Sequence, residues 1–130
     1  MANNESSSLV ESLLSVALPS DYREFLDSTG YLCLTNIGIE VYGYKPHFDA
    51  EKIPCVIGAT RLNKDAYGLT NSEIVISHTG FEELIAILDT TTGHVFEVGF
   101  SGARNRVADS FSTWLGSIKA KDVAAQAIRR

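Results

Sequence analysis

Three strand-like runs follow one another in this chain without a helix between them, and that limits the fold more than any other feature. Ile74-Val-Ile76 has few polar interruptions, Leu84 to Leu88 is a second apolar run, and Val95 to Phe100 alternates Val95, Glu97, Gly99 against Phe96, Val98, Phe100. Such alternation predicts a strand with one buried face. Asp89 to Gly93 has the composition of a turn. Helical patterns flank this block rather than alternate with its strands. The order predicts an α+β domain with antiparallel strands, not alternating α/β.

The flanking helices carry their own signals. In LPSDYREFLDSTG, residues 18–30, Leu18, Tyr22, Phe25 and Leu26 share one helical face. Pro19 suits the first helical position, and Asp21 and Glu24 suit the positive end of the helix dipole. Gly30 suits the left-handed residue after the last turn, with Tyr31 packing back. Upstream, Ser8-Leu-Val-Glu11 reads as a capping box that opens a helix from about Leu9 to Val16. Its apolar face would be Leu9, Leu13 and Val16, and residues 1–7 are expected to fray. Tyr31 to Leu34 and Ile37 to Tyr44 read as two strands around Thr35-Asn36, with a bend or bulge at Gly43. Pro54 opens a further helix, whose stripe Val56, Ile57, Ala59, Leu62 and Ala66 runs to Tyr67 and stops at Gly68. The last helix spans Ala108 to Ile118 and continues into the tail, with Asp109 at its start and Trp114 in the core.

At 130 residues the chain is expected to form a single domain, residues 1–130. It can bury roughly two thirds of its unfolded surface. With 45% apolar and 21% charged residues it has a globular composition. The N-terminus lacks the basic region and apolar run of a signal peptide, and no stretch approaches ~18 apolar residues. A cytoplasmic location without membrane contact is therefore expected, with Cys33 and Cys55 buried and reduced. The net charge of −5 is uneven. Between Asp65 and Ala103 there is no Lys or Arg, and Asp65, Glu73, Glu82, Glu83, Asp89 and Glu97 give that window −6, whereas Arg104 to the end carries +4. This argues against direct nucleic-acid binding and for a basic partner steered towards the acidic half.

No pattern points to catalysis. His47, His78 and His94 have no zinc-ligand spacing, and neither HExxH nor CxxC occurs. A Cys55–His78 nucleophile pair would need the fold to bring the two together. Gly99-Phe-Ser-Gly102 lacks the third glycine of a phosphate cradle. Glu82 and Glu83, as neighbours in an extended segment, would point to opposite faces and share no proton. We expect no metal, no cofactor and no enzymatic activity. Tyr42, Tyr44, Phe48 and Tyr67 are the aromatic residues with the character of interface anchors, or of ordinary packing.

Two segments carry a resemblance. Leu18, Pro19, Tyr22, Phe25, Leu26 and Gly30 resemble the entry motif of the SUKH superfamily, the Smi/Knr-like and Syd-like proteins, with Thr29 where Asn or Gly is usual. Tyr67-Gly-Leu69, Leu88-Asp89 and Val107-Ala-Asp-Ser-Phe111 are similar to the YobK-like bacterial branch, so the likeness covers about residues 18–118. It implies an α+β fold with a bent, mixed or antiparallel sheet of about five or six strands and helices packed around it. It also implies an immunity protein that binds a cognate protein toxin, often a nuclease, and performs no chemistry. The contacts would come from Glu73, Glu82, Glu83, Asp89 and Glu97, with Tyr42, Tyr44 and Tyr67 as aromatic anchors. Eukaryotic members imply an alternative, a non-enzymatic adaptor that scaffolds signalling; a small ligand-binding domain is a third reading. Relatives carry an extra N-terminal helix, whereas about seventeen residues precede Leu18 here. Either a homodimer partner covers that face or the face is smaller.

Overall fold

A computed structural model describes residues 5–78 and 83–128. Among them the chain forms α1 (Glu5–Leu14), α2 (Ser20–Ser28), β1 (Leu32–Leu34), β2 (Ile39–Val41), α3 (Val56–Tyr67), β3 (Glu73–His78), β4 (Ile85–Asp89), β5 (Val95–Val98), β6 (Arg104–Ala108) and α4 (Phe111–Ile128). This is the expected α+β architecture. The strands form an antiparallel β1–β2 hairpin and a four-stranded antiparallel meander in the order β3-β4-β5-β6. No helix among the described residues is long and apolar enough to cross a membrane.

The sheet is strongly curved. β3 and β6 are its opposite edges, yet the Arg104 guanidinium of β6 donates to both carboxylate oxygens of Glu73 in β3, at 2.9 and 2.7 Å. Strand twist lets two corners of a meander approach in this way. Two bulges interrupt the register, between Val75 and Ser77 and between Val95 and Phe96. At the first, the Ile76 carbonyl accepts the Tyr42 N–H at 2.7 Å, and Ser77 Oγ donates to the Glu40 carbonyl at 2.7 Å. These bonds tie the hairpin to the edge of the larger sheet. Thr60 Oγ1 of α3 accepts the Val75 N–H at 2.9 Å, so the same edge is satisfied from a second side.

An aromatic cluster joins the two ends of the chain. Tyr22 and Phe25 of α2 pack on Phe111 of α4, with ring centroids 4.9 and 5.2 Å away, and Trp114 lies 5.9 Å beyond. Asp21 accepts from the Ser112 N–H and Oγ, which places a carboxylate at the N-terminus of α4.

Several local expectations need correction. α1 begins at Glu5, so Ser8 lies inside the helix; of the residues expected to fray, 5–7 form its first turn and 1–4 fall outside the described residues. Its inward residues are Ser7 and Val10, whereas Leu9 and Leu13 are exposed. The helix is rotated because Asp27 of α2 takes both the N–H and the hydroxyl of Ser7. Pro19 caps α2 rather than starting it, its carbonyl accepting the Arg23 N–H. Pro54 precedes α3, which starts at Val56. Gly68 ends α3 in the left-handed conformation as expected. Ser110, not Asp109, caps α4, its Oγ accepting the Thr113 N–H at 3.1 Å, while Asp109 pairs with Arg106. Ala108, expected to open the last helix, instead ends a strand over Arg104–Ala108, and α4 starts at Phe111. Cys33 is exposed and Cys55 buried, and both are free thiols.

Candidate functional site

A cleft of about 550 Å³ lies between α4 and the sheet. Its residues come from the hairpin, the larger sheet and α4. Register decides the floor: Ser77 pairs with Ala86, and Ala86 with Glu97, so Ser77 and Glu97 stand on one face of the sheet. Ile37 and Ile39 of the hairpin form one wall, and Thr113, Trp114, Ser117, Ile118 and Lys121 of α4 form the other, with Val107 of β6 at the side. Asp122 fixes the distance between the walls. Its carboxylate accepts the backbone N–H groups of Asn36 and Ile37 at 2.9 and 3.2 Å, and the Asn36 side-chain amide at 3.2 Å. The hairpin turn is thereby pinned to the helix.

Glu97 gives the cleft its charge. It shares the sheet face of Val95, which is fully buried, and it has neither a hydrogen-bond nor an ion-pair partner among the described residues. An unpaired carboxylate between aliphatic and indole walls is an acceptor awaiting a donor.

The other expected contact residues have other surroundings. Glu73 is only 6% exposed. Its oxygens hold Arg104, and Oε1 also accepts the Thr70 N–H at 2.9 Å. Burial pushes its pKa up, but the bonds from Arg104 and Thr70 outweigh that and hold it below the ordinary carboxylate value. Asp89 caps the turn after β4, accepting from the N–H and hydroxyl of Thr91 at 3.0 and 2.6 Å. Burial raises its pKa, and the bonds from Thr91 and Thr92 more than reverse this. Asp89 also alternates with Ile87, on the face opposite Glu97. Glu83 is exposed, with φ +59°, at the far end of β4. Glu82 lies outside the described residues. The described acids therefore do not share one surface, and only Glu97 enters the cleft.

The tyrosines are packed rather than presented. Tyr42 is 2% exposed and its hydroxyl meets His78 Nδ1 at 2.6 Å; burial, helped by Glu40, pushes its pKa up to about 12. Tyr67 is buried, stacks on Phe100 at 4.7 Å and donates to the Glu83 carbonyl at 2.7 Å. Tyr44 is half-buried against the core, as is Phe48, which lies edge-on to Tyr31. His47 is exposed in its loop, and His94 stands 3.5 Å from Arg106. Among the described residues no group of three or more His, Cys, Asp or Glu could hold a metal ion.

Sequence reasoning singled out Glu97 but missed the cleft around it. The available signal was one acid on the Val95 face of an otherwise apolar strand.

A walled cleft of this kind is a feature of binding sites in general and does not by itself name a chemistry. The family profile described as SMI1 / KNR4 family (SUKH-1) matches residues 1–117, and the chain belongs to that family. The match takes in α1 as well as the motifs from Leu18 onward. The comparison with curated proteins gave no match.

Proposed function

We propose that this domain is an immunity protein: it binds a cognate protein toxin and blocks its active surface, without transforming any molecule. Family membership supports a protein–protein role. The observation that carries the reading is the unpaired Glu97 in a cleft whose walls are preset by the Asp122 pin. A stable interface needs roughly 1,200–2,000 Å² of buried surface, so the cleft would act as the central anchor site within a wider contact. A pre-positioned anchor keeps the ordering cost of association low. The net charge of −5 favours a basic toxin, such as a nuclease that grips phosphate.

The test is co-expression with any secreted-toxin reading frame found directly upstream of this chain's gene. Growth should be restored and a stoichiometric complex should be isolated. Lack of both protection and complex would overturn the reading. A native pull-down that recovers signalling proteins and no toxin would favour the adaptor reading instead.

A further inference from the structure

We propose that the cleft receives a basic side chain, an arginine or lysine of the protein partner, with its aliphatic stem along Trp114 and Ile118 and its charge on the Glu97 carboxylate. This rests on the reading above that the partner is a protein.

The chemistry of the lining selects among occupants. A purely apolar side chain would shut off Glu97 from water and leave it unpaired, which is costly. An anion would meet the Glu97 charge directly. A basic side chain answers both features, since it carries several methylenes that lie on apolar walls and a cation at its tip. The Trp114 ring adds an attractive surface for that cation. Ser77 on the floor is fully buried, with its Oγ donating to the Glu40 carbonyl, so the Glu97 carboxylate is the acceptor that an entering group meets. A guanidinium can engage a carboxylate through two N–H groups at once. Lys121 is the one cation on the described lining, and it is exposed on a flexible stem that can turn its ammonium to solvent. A volume of about 550 Å³ is within the usual range for ligand cavities and leaves room for the neighbouring backbone of the partner.

Trp114 is the single tryptophan of the chain, so its fluorescence reports on the cleft directly. The probes are N-acetyl-argininamide, the uncharged N-acetyl-citrullinamide, and N-acetyl-norleucinamide, which keeps only the stem. The arginine probe should give a saturable response with Kd in the millimolar range expected for a fragment of this size. The citrulline probe should bind at least about tenfold more weakly. Glu97→Gln should weaken the arginine probe by about the same factor and leave the norleucine probe unchanged. Ser117→Phe, which fills the cleft from the exposed side of α4, should abolish binding of all three while the thermal melt is preserved. Equal binding of arginine and citrulline probes, indifference to Glu97→Gln, or no saturable response overturns the proposal. If the probes fail while the chain still protects against the toxin, the immunity reading stands without this cleft. If the probes bind and protection fails, the cleft stands without that partner.

Discussion

Single residues show how far the role of a charge depends on where the fold puts it. Glu73 and Glu97 are two acids of the same window, yet one is buried and holds Arg104 while the other lines the cleft. The buried acid has a consequence for acid stability. A carboxylate whose pKa is lowered by folding contributes stability that is full above its unfolded pKa of about 4.3 and is lost as pH falls through the folded value. Asp89 acts in the same window. His78 has the opposite chemistry but the same sign. Burial lowers its pKa, and Glu40 offsets this only partly. Below about pH 6.5 the unfolded chain therefore takes up a proton that the folded chain refuses, and stability declines until the folded pKa is reached. Denaturant unfolding across pH 7 to 3 should thus weaken in two steps, the first from His78 and the second from Glu73 and Asp89. His78→Gln should remove the first step; a decline between pH 7 and 5 that survives this substitution refutes the assignment. Glu73→Gln should lower stability at pH 7 by about 1–3 kcal/mol, because Arg104 loses its ionic partner, and should shrink the second step.

At the scale of elements, two glycines test the packing in opposite directions. A Cβ on Gly43 would sit 1.7 Å from the Gly30 carbonyl oxygen, where the end of β2 crosses the end of α2. That backbone contact is fixed by the Tyr44 N–H, which donates to the same oxygen at 2.8 Å. Gly43→Ala should cost more than about 2 kcal/mol, since neither backbone can move without losing the bond. Gly116, within α4, has open space around its Cβ position, and Gly116→Ala should stabilise by about 0.5–1 kcal/mol. Chemical denaturation of the two variants decides both; a tolerated Gly43→Ala would mean that the crossing is looser than described. The same elements show what a sequence carries. α2, α3 and β3 to β5 were legible because their apolar spacing and end residues are local signals. β6 was not, since Arg104, Asn105, Arg106 and Val107 are all exposed and show no alternation of apolar and polar residues. The face of α1 was misread because a polar residue, Ser7, points inward to Asp27 and displaces the leucine stripe. Val95 and Val98, on opposite faces of a regular β5, are both buried, which a strand with one buried face would not show. Glu97 was legible as an acid on an apolar face. Its cleft was not, because the walls come from residues 37 to 121 and meet only after the sheet curls and α4 crosses it.

For the molecule as a whole, the charge distribution and the cleft should govern different steps of association. The net charge of −5 acts at a distance and raises the encounter rate with a basic partner, an effect screened over about 8–10 Å of saline. An exposed acid such as Glu83 belongs to that field. Glu97 acts only after contact, once a partner group has excluded water from the cleft. Reversing an exterior charge should therefore change the association rate, whereas reversing a charge inside the contact should change dissociation. With a toxin against which the chain protects as partner, Glu83→Lys should slow association by less than about tenfold and leave dissociation nearly unchanged. Raising the salt concentration should remove most of that difference. Glu97→Lys should speed dissociation and weaken the complex by about 2–5 kcal/mol, with little relief from salt, because the new ammonium would face the partner's cation in a cleft from which the partner excludes water. Surface-plasmon kinetics at two ionic strengths separate the two cases. If Glu83→Lys accelerated dissociation as much as Glu97→Lys, the cleft would have no special part in holding the partner, and the contact would be an ordinary charged surface.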